Sequence, residues 1–317
     1  MNSPSIIVFG SINMDLVART PSLPVPGETL LGYSFATAPG GKGANQAVAV
    51  ARLNVPTIMI GRVGSDSFGQ ELLSSLRSTG VHTEDVLADE SHHSGVAIIA
   101  VDDRSENYII VIPGANGTVS AVDVDRLSQH LPGATALLLQ LEIPLPAVVA
   151  AAQAARNAGV KVILDPAPAQ ADLPIDLYAL ISIITPNAIE AAQLVGFPVH
   201  DADTAAQAAT ILQQRGVATV VIKLGATGVF CATPEESFFI PAFKVEAVDT
   251  VAAGDAFNGG LAAALAEGLS IREAIVWGAA TGALSATKAG AQSSLPDRAT
   301  VEAFLKERDR SVSVFSH

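Results

Sequence analysis

The segment Val248-Asp249-Thr250-Val251-Ala252-Ala253-Gly254-Asp255-Ala256-Phe257-Asn258-Gly259-Gly260 carries two carboxylates and a run of small residues leading into an alanine-rich stretch. Small side chains at a helix start leave the first-turn N–H groups open to a ligand, and the helix dipole adds positive potential there. An anion such as a phosphoryl group would be held by the free N–H groups of that first turn. Asp255, in the same turn, could accept the proton of a hydroxyl attacking that group. It could equally be an N-terminal helix cap with small neighbours chosen for packing. Asp249 adds a second acidic group close by.

A second segment, Pro39-Gly40-Gly41-Lys42-Gly43-Ala44-Asn45-Gln46-Ala47, has three glycines within four residues ahead of a helical pattern. Such a loop lets a ligand approach the backbone closely. It is not a Walker A loop, because Lys42 is followed by Gly43 rather than Ser or Thr. Its N–H groups, Lys42 and Asn45 could bind a polyhydroxy ligand; a plain helix-entry turn is the other reading. Asn13 and Asp15 fall just past the first apolar run, and Gln140-Leu141-Glu142 follows another. Carboxyl ends of strands are where open α/β sheets bind ligands, and Asn, Asp and Glu suit sugar hydroxyls. Asn187 with Glu190 reads as a capping box, or as a contact to phosphate or Mg²⁺. The stretch Lys223-Leu224-Gly225-Ala226-Thr227-Gly228 suits a nucleotide lying across a strand end, or a hairpin. The six histidines show no metal-binding spacing, and no Ser/His/Asp or Cys/His set is arguable.

These residues need a scaffold that brings strand ends and helix starts together. Short β-branched runs at Ile6–Phe9, Thr57–Ile60, Leu137–Leu139, Val160–Leu164, Ile181–Ile184 and Thr219–Leu224 alternate with helical stretches. That alternation predicts a doubly wound α/β body with a parallel sheet covered on both faces. The helices Ala253–Glu267, Ile271–Thr287 and Arg298–Arg308 close the pattern. Two segments interrupt it, proline-rich Val17–Phe35 and Ser94–Ile112, whose strands Val96–Val101 and Tyr108–Ile112 flank the turn Asp102–Asn107. They read as a small additional sheet covering an edge, or as ordinary edge strands.

Composition sets outer limits. The chain has 317 residues, 49% hydrophobic, enough for a substantial core. With 18 Lys+Arg against 31 Asp+Glu and a formal charge of −13, a broad nucleic-acid face is excluded. Any phosphate must be held by local groups. A lone cysteine, Cys231, suits a reducing, cytoplasmic setting. Met1-Asn2-Ser3-Pro4 has no basic leader, and the longest uncharged stretch, Asn107 to Val122, is too short and too rich in turn residues to span a membrane. The expectation is a soluble protein.

Taken together, Gly40-Gly41-Lys42-Gly43-Ala44-Asn45-Gln46-Ala47 and Asp249-Thr250-Val251-Ala252-Ala253-Gly254-Asp255 closely resemble the ribokinase branch of the PfkB carbohydrate kinases. The likeness runs from Ile6 to about Leu305. It takes in Ser11-Ile12-Asn13-Met14-Asp15, Gln140-Leu141-Glu142, Asp165-Pro166-Ala167-Pro168, Thr185-Pro186-Asn187 and Lys288-Ala289-Gly290-Ala291-Gln292. The resemblance implies a three-layer α/β/α fold with a mostly parallel sheet, in one domain spanning 1–317. A β-sheet lid from about 14–38 and 94–113 would also pair two subunits into a homodimer.

By the same resemblance the reaction is ATP-dependent phosphorylation of D-ribose at its 5-hydroxyl, with Asp255 as base and Ala252–Asp255 as anion hole. Asn13, Asp15, Gly41, Lys42, Asn45, Glu142 and Asp255 would hold the sugar. Asn187, Lys223, Gly225, Ala226, Thr227, Gly228, Gly254 and Ala279 would line the nucleotide. An activating K⁺ would take ligands from Asp249, Val251, Ser285, Lys288, Gly290 and Ser294, and Glu190 would organise Mg²⁺ through water. Ala252 replaces a glycine common in the wider family but matches the ribokinase branch. Ala279 stands where the family often has Asn or His. A 2-deoxyribose kinase or another sugar kinase of the family is the alternative, and a non-catalytic sugar- or nucleotide-binding protein a more distant one.

Overall fold

Alternating burial along short strands, and alanine faces along the helices, let one sheet pack helices on both sides. The computed structural model describes residues 5–104 and 106–314. Met1-Asn2-Ser3-Pro4, the last three positions of the 1–317 span, and Ser105 in the turn Asp102–Asn107 lie outside the described residues. Strand β1 (Ser5–Phe9) is followed by β2 (Asn13–Arg19), β3 (Ser34–Gly40) and helix α1 (Lys42–Arg52). Then come β4 (Thr57–Gly64), α2 (Ser67–Ser78), β5 (Val81–His82) and β6 (Val86–Asp89). Strands β7 (Gly95–Val101) and β8 (Asn107–Ile112) lead into α3 (Ala121–His130), β9 (Ala134–Leu139), α4 (Leu145–Asn157) and β10 (Lys161–Leu164). A one-turn helix α5 (Ile175–Tyr178) precedes β11 (Ile183–Ile184), α6 (Ala188–Val195), α7 (Ala202–Gln214) and β12 (Thr219–Lys223). The remaining elements are β13 (Gly228–Ala232), β14 (Ser237–Pro241), α8 (Ala253–Ala266), α9 (Ile271–Ala286) and α10 (Arg298–Val314).

The main sheet runs β14-β13-β12-β11-β10-β9-β1-β4-β5, with β6 also paired to β4. All neighbours from β12 to β5 are parallel, whereas β13 and β14 form an antiparallel edge. The sheet is therefore mostly parallel, as the resemblance implied. Alternation along β1 shows why it has two faces. Ile6 and Val8 pack into a core with α1, α8 and α9, while Ile7 and Phe9 enter a second core with α3, α4, α6 and α7. This is a three-layer α/β/α body.

The two interrupting segments contribute to a separate four-stranded sheet in the order β3-β2-β7-β8 rather than to an edge of the main one. Strand β2 is antiparallel to β3 and parallel to β7, with Asp15 opposite Ala38 on one side and Ala97 on the other. Phe35, Ile98, Tyr108, Ile109 and Ile110 of this sheet are exposed.

The carboxyl ends of β1, β9, β10 and β11 open on one edge of the body. Helices α1 and α8 start at the same edge and pack closely, because α8 offers Gly259 to α1: a Cβ there would overlap the Cβ of buried Ala49. Replacing Gly259 by Ala must part the helices that carry Asn45 and Asp255. We expect Gly259→Ala to cost roughly 1–3 kcal/mol of stability by overpacking and to lower turnover beyond that. Thermal unfolding and kcat measured together check this; wild-type values of both would contradict it.

Candidate active site

Helix α8 begins without a side-chain cap. Its N-cap is Ala252, and Asp255 is the third helical residue. The Ala253 N–H bonds back to Thr250 O (3.2 Å) and the Ala256 N–H to Ala252 O (2.8 Å). Among the described residues, the Gly254 and Asp255 N–H groups have no backbone acceptor. These are the orphan donors that make a helix start an anion site. The helix-cap reading of Asp255 does not hold, because its carboxylate turns across to α1. There Asn45 Nδ2 donates to Oδ2 and Gln46 Nε2 to Oδ1, each at 3.0 Å.

The glycine loop is shaped by what lies beneath it. Gly41 has φ +88°, and a Cβ on it would sit 2.7 Å from Asn13 N, so only glycine fits without strain. Glu142 Oε2 accepts from the Lys42 N–H (3.0 Å) and from Ser11 Oγ (2.5 Å), which clamps the loop to the strand ends. Asn13 Oδ1 accepts from Asn116 Nδ2 (2.8 Å), and Asn116 Oδ1 accepts from the Ile12 N–H (2.9 Å). With its oxygen so engaged, Asn13 presents its amide NH₂ outward, while Asp15 offers oxygens. Together they match a ligand whose hydroxyls both donate and accept.

The electrostatics centre on carboxylates and two lysines. Burial pushes Asp255 up to about 6; Lys42 opposes this, Asp165 adds to it, and the Asn45 and Gln46 donors pull it back. Burial likewise pushes Asp15 up to about 7, reinforced by Glu142 and Asp255. For Lys42 burial alone would lower the ammonium, but Asp255, Asp165, Glu142 and Glu190 together hold it above its usual range. Lys223 Nζ donates to Asp165 Oδ1 at 3.0 Å and stands beside Gly254. Two cations and the helix start therefore face one point, with a buried carboxylate next to it. That suits transfer of an anionic group to a hydroxyl.

Comparison with known proteins decides what kind of machinery this is. The model of the pfkB family carbohydrate kinases matches residues 3–298. The chain belongs to this family. The ribokinase of Haemophilus influenzae is 45% identical over 302 residues, covering 95% of this chain and 98% of its own length. The deoxyribokinase of Salmonella typhimurium is 37% identical over 291 residues, covering 92% and 95%. Among solved structures, Arabidopsis thaliana ribokinase complexed with ribose and ATP is similar with a TM-score of 0.89 at 33% identity, covering 96% of this chain and 99% of that one. Thermotoga maritima ribokinase is similar with a TM-score of 0.88 at 37% identity, with the same coverage.

Within this pfkB kinase the residues named from the sequence fall into three groups. Asn13, Asp15, Gly41, Lys42, Asn45, Glu142 and Asp255 gather around the open edge with Ala252, Ala253 and Gly254. Asn187 and Glu190 form the expected capping box at the start of α6: the Glu190 N–H donates to Asn187 Oδ1 (2.9 Å) and the Asn187 N–H to Glu190 Oε2 (2.7 Å). Asn187 bridges to Lys223 on β12. Lys223–Gly228 forms the turn between the antiparallel β12 and β13, with exposed Gly225, Ala226 and Thr227 leading into buried Gly228. Ala279 is half-buried on α9 and packs on the core.

The third group lies around Asp249, whose Oδ1 accepts from the Val251 N–H (3.0 Å) and Oδ2 from the Gly290 N–H (2.9 Å). Ser285 and Ser294 share a hydroxyl contact of 2.7 Å, whereas the Lys288 side chain is exposed. Four polar residues with no role read from the sequence prove central: Gln46, Asp165, Gln140 and Asn116, each at most 3% exposed. Gln46 carried a signal, as an amide on an otherwise apolar helix face. Asn116, between two glycines, reads only as a turn.

Asp15 links function to stability. Its folded-state value lies above the ordinary carboxylate value, so the ionised form burdens the fold. That burden is full above about pH 7 and disappears below the ordinary value of 3.8. Asp15→Asn is expected to raise the Tm of the unliganded protein at pH 8, to leave it unchanged at pH 3.5, and to weaken sugar binding roughly a hundredfold. A lower Tm at pH 8 with unchanged sugar affinity would contradict this assignment.

Proposed function

We propose that the chain is an ATP-dependent ribokinase that transfers the γ-phosphoryl group of ATP to O5 of D-ribose. The observation that carries the reading is the first turn of α8, where a buried carboxylate and free N–H groups lie within four residues. The ribokinases similar along nearly the full chain support it, as does the structure named for its ribose and ATP.

In this reading Asn13, Asp15, Lys42, Asn45 and Glu142 hold the ring hydroxyls, with Gly41 admitting the sugar to the loop. Asp255 accepts the proton of the 5-hydroxyl as O5 forms its bond to phosphorus. The bond from phosphorus to the bridging oxygen breaks, and its electron pair leaves on the β-phosphate of ADP. The Ala252–Asp255 backbone, Lys42 and Lys223 stabilise the charge that spreads over the phosphoryl oxygens. Asn187, Gly225, Ala226, Thr227 and Gly228 line the nucleotide, and Ala279 gives it an apolar rather than a polar neighbour.

Two cations fit the residues present. Asp249 ties the Val251 and Gly290 segments together, and with Ser285, Ser294 and backbone carbonyls from Val251, Lys288 and Gly290 it offers an all-oxygen set suited to K⁺. Both Glu190 oxygens accept from Asn187, and no group of three His, Cys, Asp or Glu could cage a metal among the described residues. That fits a hydrated Mg²⁺ held mainly by phosphates, with Glu190 reaching it through water. When bound, the cations supply positive charge beside the phosphates and the helix start.

The four-stranded sheet serves as a lid over the sugar within a single domain. Its exposed Phe35, Ile98, Tyr108 and Ile110 suit a homodimer contact. Among the described residues no helix is long and apolar enough to cross a membrane. A cytoplasmic setting is proposed on the lone Cys231, which is buried with its thiol pushed up to about 12 by that burial.

The Salmonella deoxyribokinase keeps 2-deoxyribose in view as a second substrate. ADP release across a panel of five- and six-carbon sugars tests the choice. Ribose is expected to exceed 2-deoxyribose by at least about tenfold in kcat/KM, since a site built to bond a hydroxyl is penalised without it. The reverse order would make the chain a deoxyribokinase. Asp255→Asn is expected to keep ribose binding within about threefold and to cut kcat by roughly a thousandfold or more. Turnover close to wild type would remove Asp255 from its role. Replacing K⁺ by tetramethylammonium is expected to lower kcat at least about fivefold; equal rates would remove the cation site.

A further inference from the structure

We infer that Gln46 is a positioning residue for Asp255, its side-chain amide locking the carboxylate of the base to the Asp165–Lys223 ion pair. The inference rests on the assignment of Asp255 as the base. Gln46 is fully buried on α1, one residue beyond Asn45. Its NH₂ group divides its two hydrogens between two acids, donating to Asp255 Oδ1 and to Asp165 Oδ2 at 3.0 Å each. Its oxygen accepts from Gln140 Nε2 at 2.7 Å. Asp165 is held on its other oxygen by Lys223 Nζ at 3.0 Å.

The order of these contacts leaves the amide one orientation. Turning it over would aim its oxygen at two carboxylates and its NH₂ at the Gln140 NH₂, so all three contacts would become repulsive. Gln140, fully buried just beyond β9, anchors the amide oxygen, while the two carboxylates fix its NH₂. Asp255 keeps both oxygens engaged by neutral donors, Asn45 on Oδ2 and Gln46 on Oδ1. A lysine in the place of either amide would hold the carboxylate as a firm ion pair and weaken it as a base. An apolar side chain in the place of Gln46 would leave Oδ1 unbonded next to the Asp165 charge. Like Asn45, the amide orients the base without neutralising it, and Gln46 alone of the two ties that orientation through Asp165 to the lysine that faces the phosphate.

The other charges that face Asp255 are Lys42 from α1, Asp165 beyond β10 and Asp15 from β2, and neither variant proposed here removes any of them. Gln46→Met keeps the size of the side chain and loses both donors. Gln140→Leu keeps Gln46 but removes the donor that anchors its amide oxygen. For Gln46→Met we expect kcat to fall roughly ten- to hundredfold with the ribose KM within about threefold. The acid limb of the pH–kcat profile should move up by about one pH unit, because a donor to the charged form is lost. Gln140→Leu is expected to move both in the same direction by less, and Gln46→Glu not to restore the wild-type profile.

A side chain that merely fills the core would lower Tm without moving the acid limb. If both variants keep the wild-type profile and kcat, the inference is overturned. If Gln46→Met does not fold, the Gln140→Leu profile decides alone. Asp255→Asn assayed alongside keeps the two claims apart. An active Asp255→Asn removes the base assignment itself, whereas an inactive one beside unperturbed Gln46 and Gln140 variants removes only the positioning role.

Discussion

Everything at this site turns on keeping one carboxylate buried, hydrogen-bonded and yet free of an ion pair. Asp255 sits among helices, where an unsatisfied charge would cost several kcal/mol or more. The fold meets that cost with the nearby Lys42 charge and two amides from α1, without a direct ion pair. This requires α1 and α8 to cross at glycine contact, Asn45 and Gln46 to be consecutive, and both helices to begin at the same sheet edge. The outcome is a carboxylate poised at about 6, ionised at neutral pH yet more basic than a solvated aspartate, as the proposed base needs.

The same economy explains how a chain of charge −13 handles a polyphosphate. In the proposed reading attraction is local, supplied by helix-start N–H groups, Lys42 and Lys223, and by the cations proposed beside them. Lys42 and Lys223 are in turn held charged and in place by the acids around them, with Asp165 bonded directly to Lys223. Net charge describes the surface, whereas binding answers to the few dipoles and charges that converge on one point.

Much of this was legible in the residues. The doubly wound body followed from apolar runs and alanine faces, since strand and helix periods differ too much to be confused. The glycine loop and the start of α8 announced themselves by composition. The antiparallel edge did not, because β13 and β14 carry the same apolar character as the parallel strands. The reading of Asp255 as a helix cap failed for an instructive reason. A carboxylate at a helix start is drawn equally by its own N–H groups and by donors from elsewhere, and only the packing of α1 decides. Gln140, Asp165 and Asn116 were quiet for the same cause: their partners lie on distant elements, Gln46 on α1 and Asn13 on β2, at separations of 94, 119 and 103 residues.

The account stands or falls on the state of one carboxyl group. Carbon-13 NMR titration of the Asp255 side chain in the unliganded protein, assigned by its loss in Asp255→Asn, observes it directly. A midpoint near 6 is expected. A midpoint at the ordinary value of 3.8 would mean a solvated or ion-paired aspartate and would contradict the account.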